Sequence, residues 1–354
     1  MNRVRSGSAF AVHMPKKRYI LFAFLAIAAT LVLSTSVVIA GDLYLHHKYT
    51  DLVGLNVWGY RGPALGRKQA NEFRLAVVGE STAFGYGVRW DEAFPAYLQQ
   101  RVQSKVERPV TVVNLAYNGE GAHSYKYTLA DYKYLNADAV LFYAGYNDLG
   151  GPNRQVFRHK SPVFRVTGYL PIFPIIFAEK AMTLRKGVLV DAYSPSDKTT
   201  FRPNITQRAT ASALETAVSI EKSLESQIGR GLVDTTVDEG TLRGSSCGER
   251  WAHYCGEMLE AVDLALRQGK RVLLVTQPLM NGSDAQRLHR QQQERWHELL
   301  QQKFGNDPRI FLADVNGTVD LKDPAVAYDG MHLTARGNQA IAAALVPHVL
   351  DLMH

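Results

Sequence analysis

Four short segments of this 354-residue chain hold side chains that can do chemistry together. The first is Gly79-Glu80-Ser81, at the end of an apolar run. The others are "YNGEG" (117–121), "AGYNDLGG" (144–151) and "AYDGMHLT" (327–334). A serine hydroxyl is a poor nucleophile until a base touches it. His332 can be that base, and Asp329 stands three residues before it. One tight turn would set the Asp329 carboxylate against Nδ1 of His332 and leave Nε2 for Ser81. An anionic tetrahedral intermediate also needs hydrogen-bond donors. The backbone N–H of Ser81, that of Gly119 and the side-chain amide of Asn147 are the candidates for such an oxyanion hole. Singly, each segment has a plainer reading. A strand often ends in Gly-x-Ser, Gly-Tyr-Asn-Asp suits a turn, and Asp-x-x-His suits a surface loop or a pair of metal ligands.

The elements that must position these residues are legible as an alternation. Strand candidates are 74–79, 110–116, 138–144, 270–276 and 309–313, each short, rich in β-branched and aromatic residues and almost continuously apolar. Strands covered on both faces read this way. Between them lie helical patterns at 92–106, 123–135, 256–268 and 285–304, and a last helix follows Thr334 as its N-cap, with Pro347 expected to bend it. The expected fold class is α/β: a mainly five-stranded parallel sheet between helices. Ligands bind such sheets beyond the carboxyl ends of the strands. Ser81, Gly119, Asn147 and His332 all follow strand ends, so they are expected at one rim. The regularity breaks at about 150–265, a long insertion after the third strand. It holds a helical stretch at 208–228 and the apolar segment 168–184, whose Pro171 and Pro174 prevent a helix through its first half. A cap over the sheet edge and a surface excursion packed on the flank are equally weighted readings of it.

Taken together, the four segments resemble the blocks of the SGNH hydrolases, also called the GDSL esterase/lipase family. Gly79-Glu80-Ser81 is similar to the first block, with Glu where the family commonly has Asp. Asn114 and Gly119, five apart, are similar to the second. Gly145-Tyr146-Asn147-Asp148 matches the third, and Asp329-Gly-Met-His332 the last. "VWGYRGP" (57–63) ahead of the first strand looks like the lead-in of membrane-anchored bacterial members. The resemblance covers 70–150 and 268–350 and leaves the insertion and N-terminus uncovered. It implies a flavodoxin-like three-layer α/β/α domain and ester hydrolysis through an acyl-enzyme, with no metal and no cofactor. It implies Ser81 as nucleophile, His332 as base and acid, Asp329 as its orienter, and Gly119 and Asn147 beside the Ser81 amide in the oxyanion hole. An α/β-hydrolase is the competing fold, but its nucleophile turn Gly-x-Ser-x-Gly meets Ala83 at the fifth position.

Charge and hydropathy place the domain. Five cations and no acid in residues 1–18 account for most of the net +7, so the rest carries only +2, too little for a nucleic-acid surface. Residues 19–41 are uncharged and apolar, long enough to cross a bilayer. Lys16, Lys17 and Arg18 before them predict a cytoplasmic N-terminus and an inner-membrane signal anchor. A signal peptide cleaved near Val38-Ile39-Ala40 is the alternative. Either way, a connector (42–72) and a catalytic domain (73–354) are expected in the periplasm or outside the cell. Cys247 and Cys255 fit that oxidising compartment as a disulfide, or stand as two unrelated thiols. The expected substrate is an acylated carbohydrate that loses acetyl groups. A lipid ester, acyl transfer to a sugar, and a non-catalytic glycan-binding protein stay open. Tyr86, Trp90, Tyr117, Tyr143 and Tyr146 near the rim are candidates for stacking on sugar rings.

Overall fold

The apolar runs pair as one sheet. A computed structural model describes residues 16–49, 54–176, 247–280, 282–305 and 307–354. The strands are β1 (Phe73–Gly79), β2 (Val110–Asn114), β3 (Ala139–Tyr143), β4 (Arg271–Thr276) and β5 (Ile310–Asp314), in the order β2-β1-β3-β4-β5. Every pairing is parallel. Leu75 of β1 pairs with Val112 on one side and Ala139 on the other. β1 and β3 are buried along their whole length, which is why both read as unbroken apolar runs.

The helices of ten residues or more among the described residues are α1 (Lys16–Tyr49), α2 (Phe94–Gln103), α3 (Ala122–Asp131), α4 (Gly248–Arg267), α5 (Ser283–Phe304) and α6 (Ala335–Leu352). Two ring contacts show how they cover the sheet. Phe94 of α2 meets Tyr143, and Tyr125 of α3 meets Phe142. Adjacent residues of a strand point to opposite faces, so α2 and α3 lie on opposite sides. α6 packs with α2, tied by Asn338 Oδ1 accepting from the Phe94 N–H at 2.9 Å, while α4 packs with α3 and α5 with α4. This is the three-layer α/β/α architecture, and its strand order is the flavodoxin-like one. Thr334 caps α6 by accepting from the Gly337 N–H at 3.3 Å, and the helix runs on through Pro347.

Three places differ from the pattern reading. α4 begins at Gly248, inside the span assigned to the insertion. Its Cys255, Met258, Ala261, Val262 and Ala265 are buried at three-to-four spacing, so this stretch belongs to the sheet's cover. The segment expected as a connector is also built in. Arg61 bridges antiparallel to Asn114 at the end of β2, and Tyr60 is buried in the core. In the segment 168–184, residues 173–176 make a helical turn; its remainder beyond 176 and the stretch 208–228 lie outside the described residues. Cys247 and Cys255 are joined as a disulfide across the first two turns of α4.

α1 up to Leu45 is a unit of its own, and His46–His354 is the other. With 34 residues, α1 outlasts the apolar run 19–41 at both ends. It is long and apolar enough to cross a membrane, and its large apolar side chains from Tyr19 to Ile39 are exposed.

Candidate active site

β1 stops at Gly79 and the chain turns at once into one helical turn, Ser81–Phe84. Glycine is needed at 79 because a Cβ would run into the Tyr143 carbonyl of β3 and lie 2.8 Å from the Ala83 Cβ. The turn is fastened from two sides. Asn114 of β2 donates through its amide to the Ala83 and Phe84 carbonyls at 3.0 and 3.2 Å. Arg61 donates to the carbonyls of Phe84, Gly85 (2.7 Å) and Val88 (2.5 Å), with its guanidinium 4.4 Å from the centre of the Phe84 ring. A planar, five-donor guanidinium suits such a bundle of carbonyls, and lysine would not replace it.

Ser81 and His332, 251 residues apart in sequence, meet: Nε2 of His332 lies 2.8 Å from Ser81 Oγ. Nδ1 of His332 lies 2.6 Å from Asp329 Oδ2, while Oδ1 accepts from the backbone N–H groups of Met331 (3.0 Å) and His332 (2.7 Å). The carboxylate is thus fixed by its own loop before it fixes the ring. Burial works against its charge, but these hydrogen bonds from His332 and Met331 prevail and hold Asp329 below the usual carboxylate range. Two rings stand against the imidazole: Tyr86, tilted, with centroids 5.0 Å apart, and Tyr328, stacked at 5.9 Å. Tyr328 in turn donates through its hydroxyl to the Tyr86 carbonyl at 2.8 Å.

β2 and β3 flank β1 and deliver the remaining candidates. Gly119 takes the left-handed conformation (φ +73°), which lets the loop after β2 turn without strain. Asn147 follows β3 and gives one amide hydrogen to the Glu120 carbonyl at 2.7 Å. An amide carries two such hydrogens, so the second is available to an oxyanion. Asn153 reinforces the loop by donating to the Gly119 carbonyl at 3.0 Å. Asp148 caps the start of α3, accepting from the Ala122 N–H at 2.9 Å, and burial first, then the Glu257 carboxylate, raise it to about 6.

Pattern reading gave Glu80 no role, and the structure gives it one. It is 1 % exposed, and its carboxyl accepts from the backbone N–H of Gly145 (3.0 Å) and of Asn147 (3.1 Å). It therefore ties the first block to the third. Burial, and secondly the Asp148 carboxylate, push it up to about 8, so at pH 7 it holds its proton. A neutral carboxyl still accepts both hydrogen bonds, and it puts no negative charge beside a developing oxyanion. Gln277 supports the same loop, donating to Thr82 Oγ1 at 3.2 Å and accepting from the Tyr146 N–H at 3.2 Å. Of the five rim aromatics, Tyr117, Tyr143 and Tyr146 are core residues; Tyr86 and Trp90 are half-buried and can still meet a ligand.

The raised Glu80 has a consequence for stability. The free carboxyl titrates near 4.5 and the folded one near 8, so between these values the unfolded chain releases a proton that the folded chain keeps. Stability is then full below the lower value and falls by about 1.4 kcal/mol per pH unit as pH rises toward the upper one. Glu80→Gln, which cannot ionise, should decline less between pH 5 and 8. Thermal unfolding of both proteins at the two pH values checks this; parallel declines would show that Glu80 does not titrate there.

A serine hydroxyl, an imidazole and a carboxylate in hydrogen-bonded series at the carboxyl edge of a parallel sheet are the parts a serine hydrolase uses. The chain belongs to the GDSL-like lipase/acylhydrolase family, whose profile matches residues 77–340, and is a serine ester hydrolase. A comparison with curated protein sequences returns no match. Among solved structures, a catalytic mutant of Axe2, an acetylxylan esterase from Geobacillus stearothermophilus, is 13% identical, with 78% of this chain and 94% of that one covered and a TM-score of 0.42. TesA is 13% identical over 79% of this chain and 99% of that one, with a TM-score of 0.40. A member of the lipolytic G-D-S-L family from Veillonella parvula DSM 2008 is 12% identical over 78% and 97%, with a TM-score of 0.41.

Proposed function

We propose that the protein removes short acyl groups, acetyl above all, from carbohydrate outside the inner membrane, held there by α1 as an uncleaved anchor. The contact of Ser81 Oγ with His332 Nε2 at 2.8 Å carries the chemistry. Ser81 attacks the acyl carbonyl while His332 takes its proton. Asp329 stabilises the imidazolium, and the N–H groups of Ser81 and Gly119 and the amide of Asn147 receive the oxyanion. The sugar hydroxyl leaves with the proton from His332, and the acyl group stays on Ser81. Water, deprotonated by the same ring, then releases the acid and restores the serine.

The short-acyl reading is supported by the surroundings of the base. Tyr86 and Tyr328 crowd His332, and the half-buried Tyr86 offers aromatic surface to a sugar. The test compares p-nitrophenyl esters of acetic and dodecanoic acid on the full chain, followed by acetate release from acetylated polysaccharides. Turnover of acetate at least about tenfold faster in kcat/KM is the expected result, about the discrimination a pocket gives through 1–2 kcal/mol. Preference for the long chain would replace this reading with a lipid ester.

A further inference from the structure

Away from Ser81, α3 and α4 enclose a second cluster of chemistry-bearing side chains. His253 and Glu257 are four apart on α4 and share one face of it. His123, in the first turn of α3, comes against them from the other helix. Its Nδ1 lies 2.8 Å from Glu257 Oε1, and ligand atoms of all three residues lie within 4.8 Å of one another. The two imidazoles are stacked, centroids 6.0 Å apart and planes 28° apart. His253 and Glu257 are buried, whereas His123 is half-buried and gives the cluster a side toward solvent.

Lys126 divides the Glu257 carboxylate. Its ammonium lies 3.1 Å from Oε2 and 2.8 Å from Glu260, which leaves Oε1 turned to the imidazoles. An outer partner of this kind orients a carboxylate that ligates through one oxygen. Two imidazoles and a carboxylate suit zinc; calcium and magnesium take oxygen ligands.

We propose that His123, His253 and Glu257 form a zinc site, with His123 ligating through Nδ1, Glu257 through Oε1, and water in the fourth position. The ion replaces the hydrogen held between His123 and Glu257. It fastens α3 to α4 and stays out of acyl transfer. Its relevance to the active site is positional: α3 begins two residues after Glu120, whose carbonyl holds Asn147. The site is independent of the esterase reading, and either can fail alone.

The test uses the untagged full chain in detergent, stripped with a chelator and then titrated with zinc alone. Metal retained through gel filtration is counted, and the thermal midpoint is followed. About one zinc per chain and a raised midpoint are expected, together with the visible spectrum of four-coordinate cobalt after substitution. His253→Gln and Glu257→Gln should each weaken zinc affinity by about tenfold or more, while His332→Ala keeps the full equivalent. Where a buried variant does not fold, His123→Gln, at a half-buried position, replaces it. No retained zinc with an unmoved midpoint, or equal retention in the ligand variants, overturns the site and leaves a closed ion network of His123, Glu257, Lys126 and Glu260.

Discussion

Ser81→Ala is expected to cut kcat for p-nitrophenyl acetate by at least about 10⁴, and to abolish labelling by a fluorophosphonate. On the proposed route the attacking atom, the hydroxyl 2.8 Å from His332 Nε2, is then missing. His332→Ala should cost a similar factor, because the hydroxyl loses its proton acceptor. The informative measurement is the double variant. Groups that act as one unit are grossly non-additive, so Ser81→Ala with His332→Ala should be no slower than either alone within about threefold. Losses that multiply would mean that the two side chains work separately, and the acyl-enzyme route would fall with that result. Labelling of Ser81→Ala by the fluorophosphonate would move the nucleophile elsewhere.

Asn147→Ala should lower kcat by about 10²–10³ with little change in KM, the usual cost of one oxyanion donor. Beside that proposed role, the amide donates to the Glu120 carbonyl at 2.7 Å. Asn147→Asp separates the two. It keeps the shape but loses both N–H groups and brings a negative charge to the oxyanion, so it should be no faster than the alanine variant. Full activity in Asn147→Asp would show that the oxyanion is held elsewhere. An equal rise in KM in both variants would show a role in binding the substrate's ground state instead.

Much of this was readable in the chain because burial leaves a pattern. β1 and β3 are covered on both faces, so they appear as unbroken apolar stretches, and the chemistry-bearing segments follow strand ends where parallel sheets expose their loops. What stayed hidden acts across long sequence distances or lacks periodicity. Arg61 sits in "VWGYRGP", a segment without any repeat, and its carbonyl partners come more than 20 residues later. Glu80 looked like a substitution for Asp; its hold on Gly145 and Asn147 is 65 and 67 residues away in sequence. The first turns of α4 are disguised by Glu249, Arg250 and His253, although Trp251 and Tyr254 are buried. His123 and Glu257, 134 positions apart, give no spacing signature of a metal site. Three tyrosines near strand ends proved to be interior, since an aromatic beside a sheet packs as readily as it binds.

The clasp around His332 bears on how the enzyme cycles. On the proposed route a base could swing aside between acylation and deacylation, yet here one ring edge is pinned by a carboxylate, one phenol stacks on the ring and a second stands tilted beside it. Such a ring serves both half-reactions from a single pose. In the proposed cycle the departing alcohol and the incoming water then meet the same ring nitrogen in turn, so the first has to leave before the second can be activated.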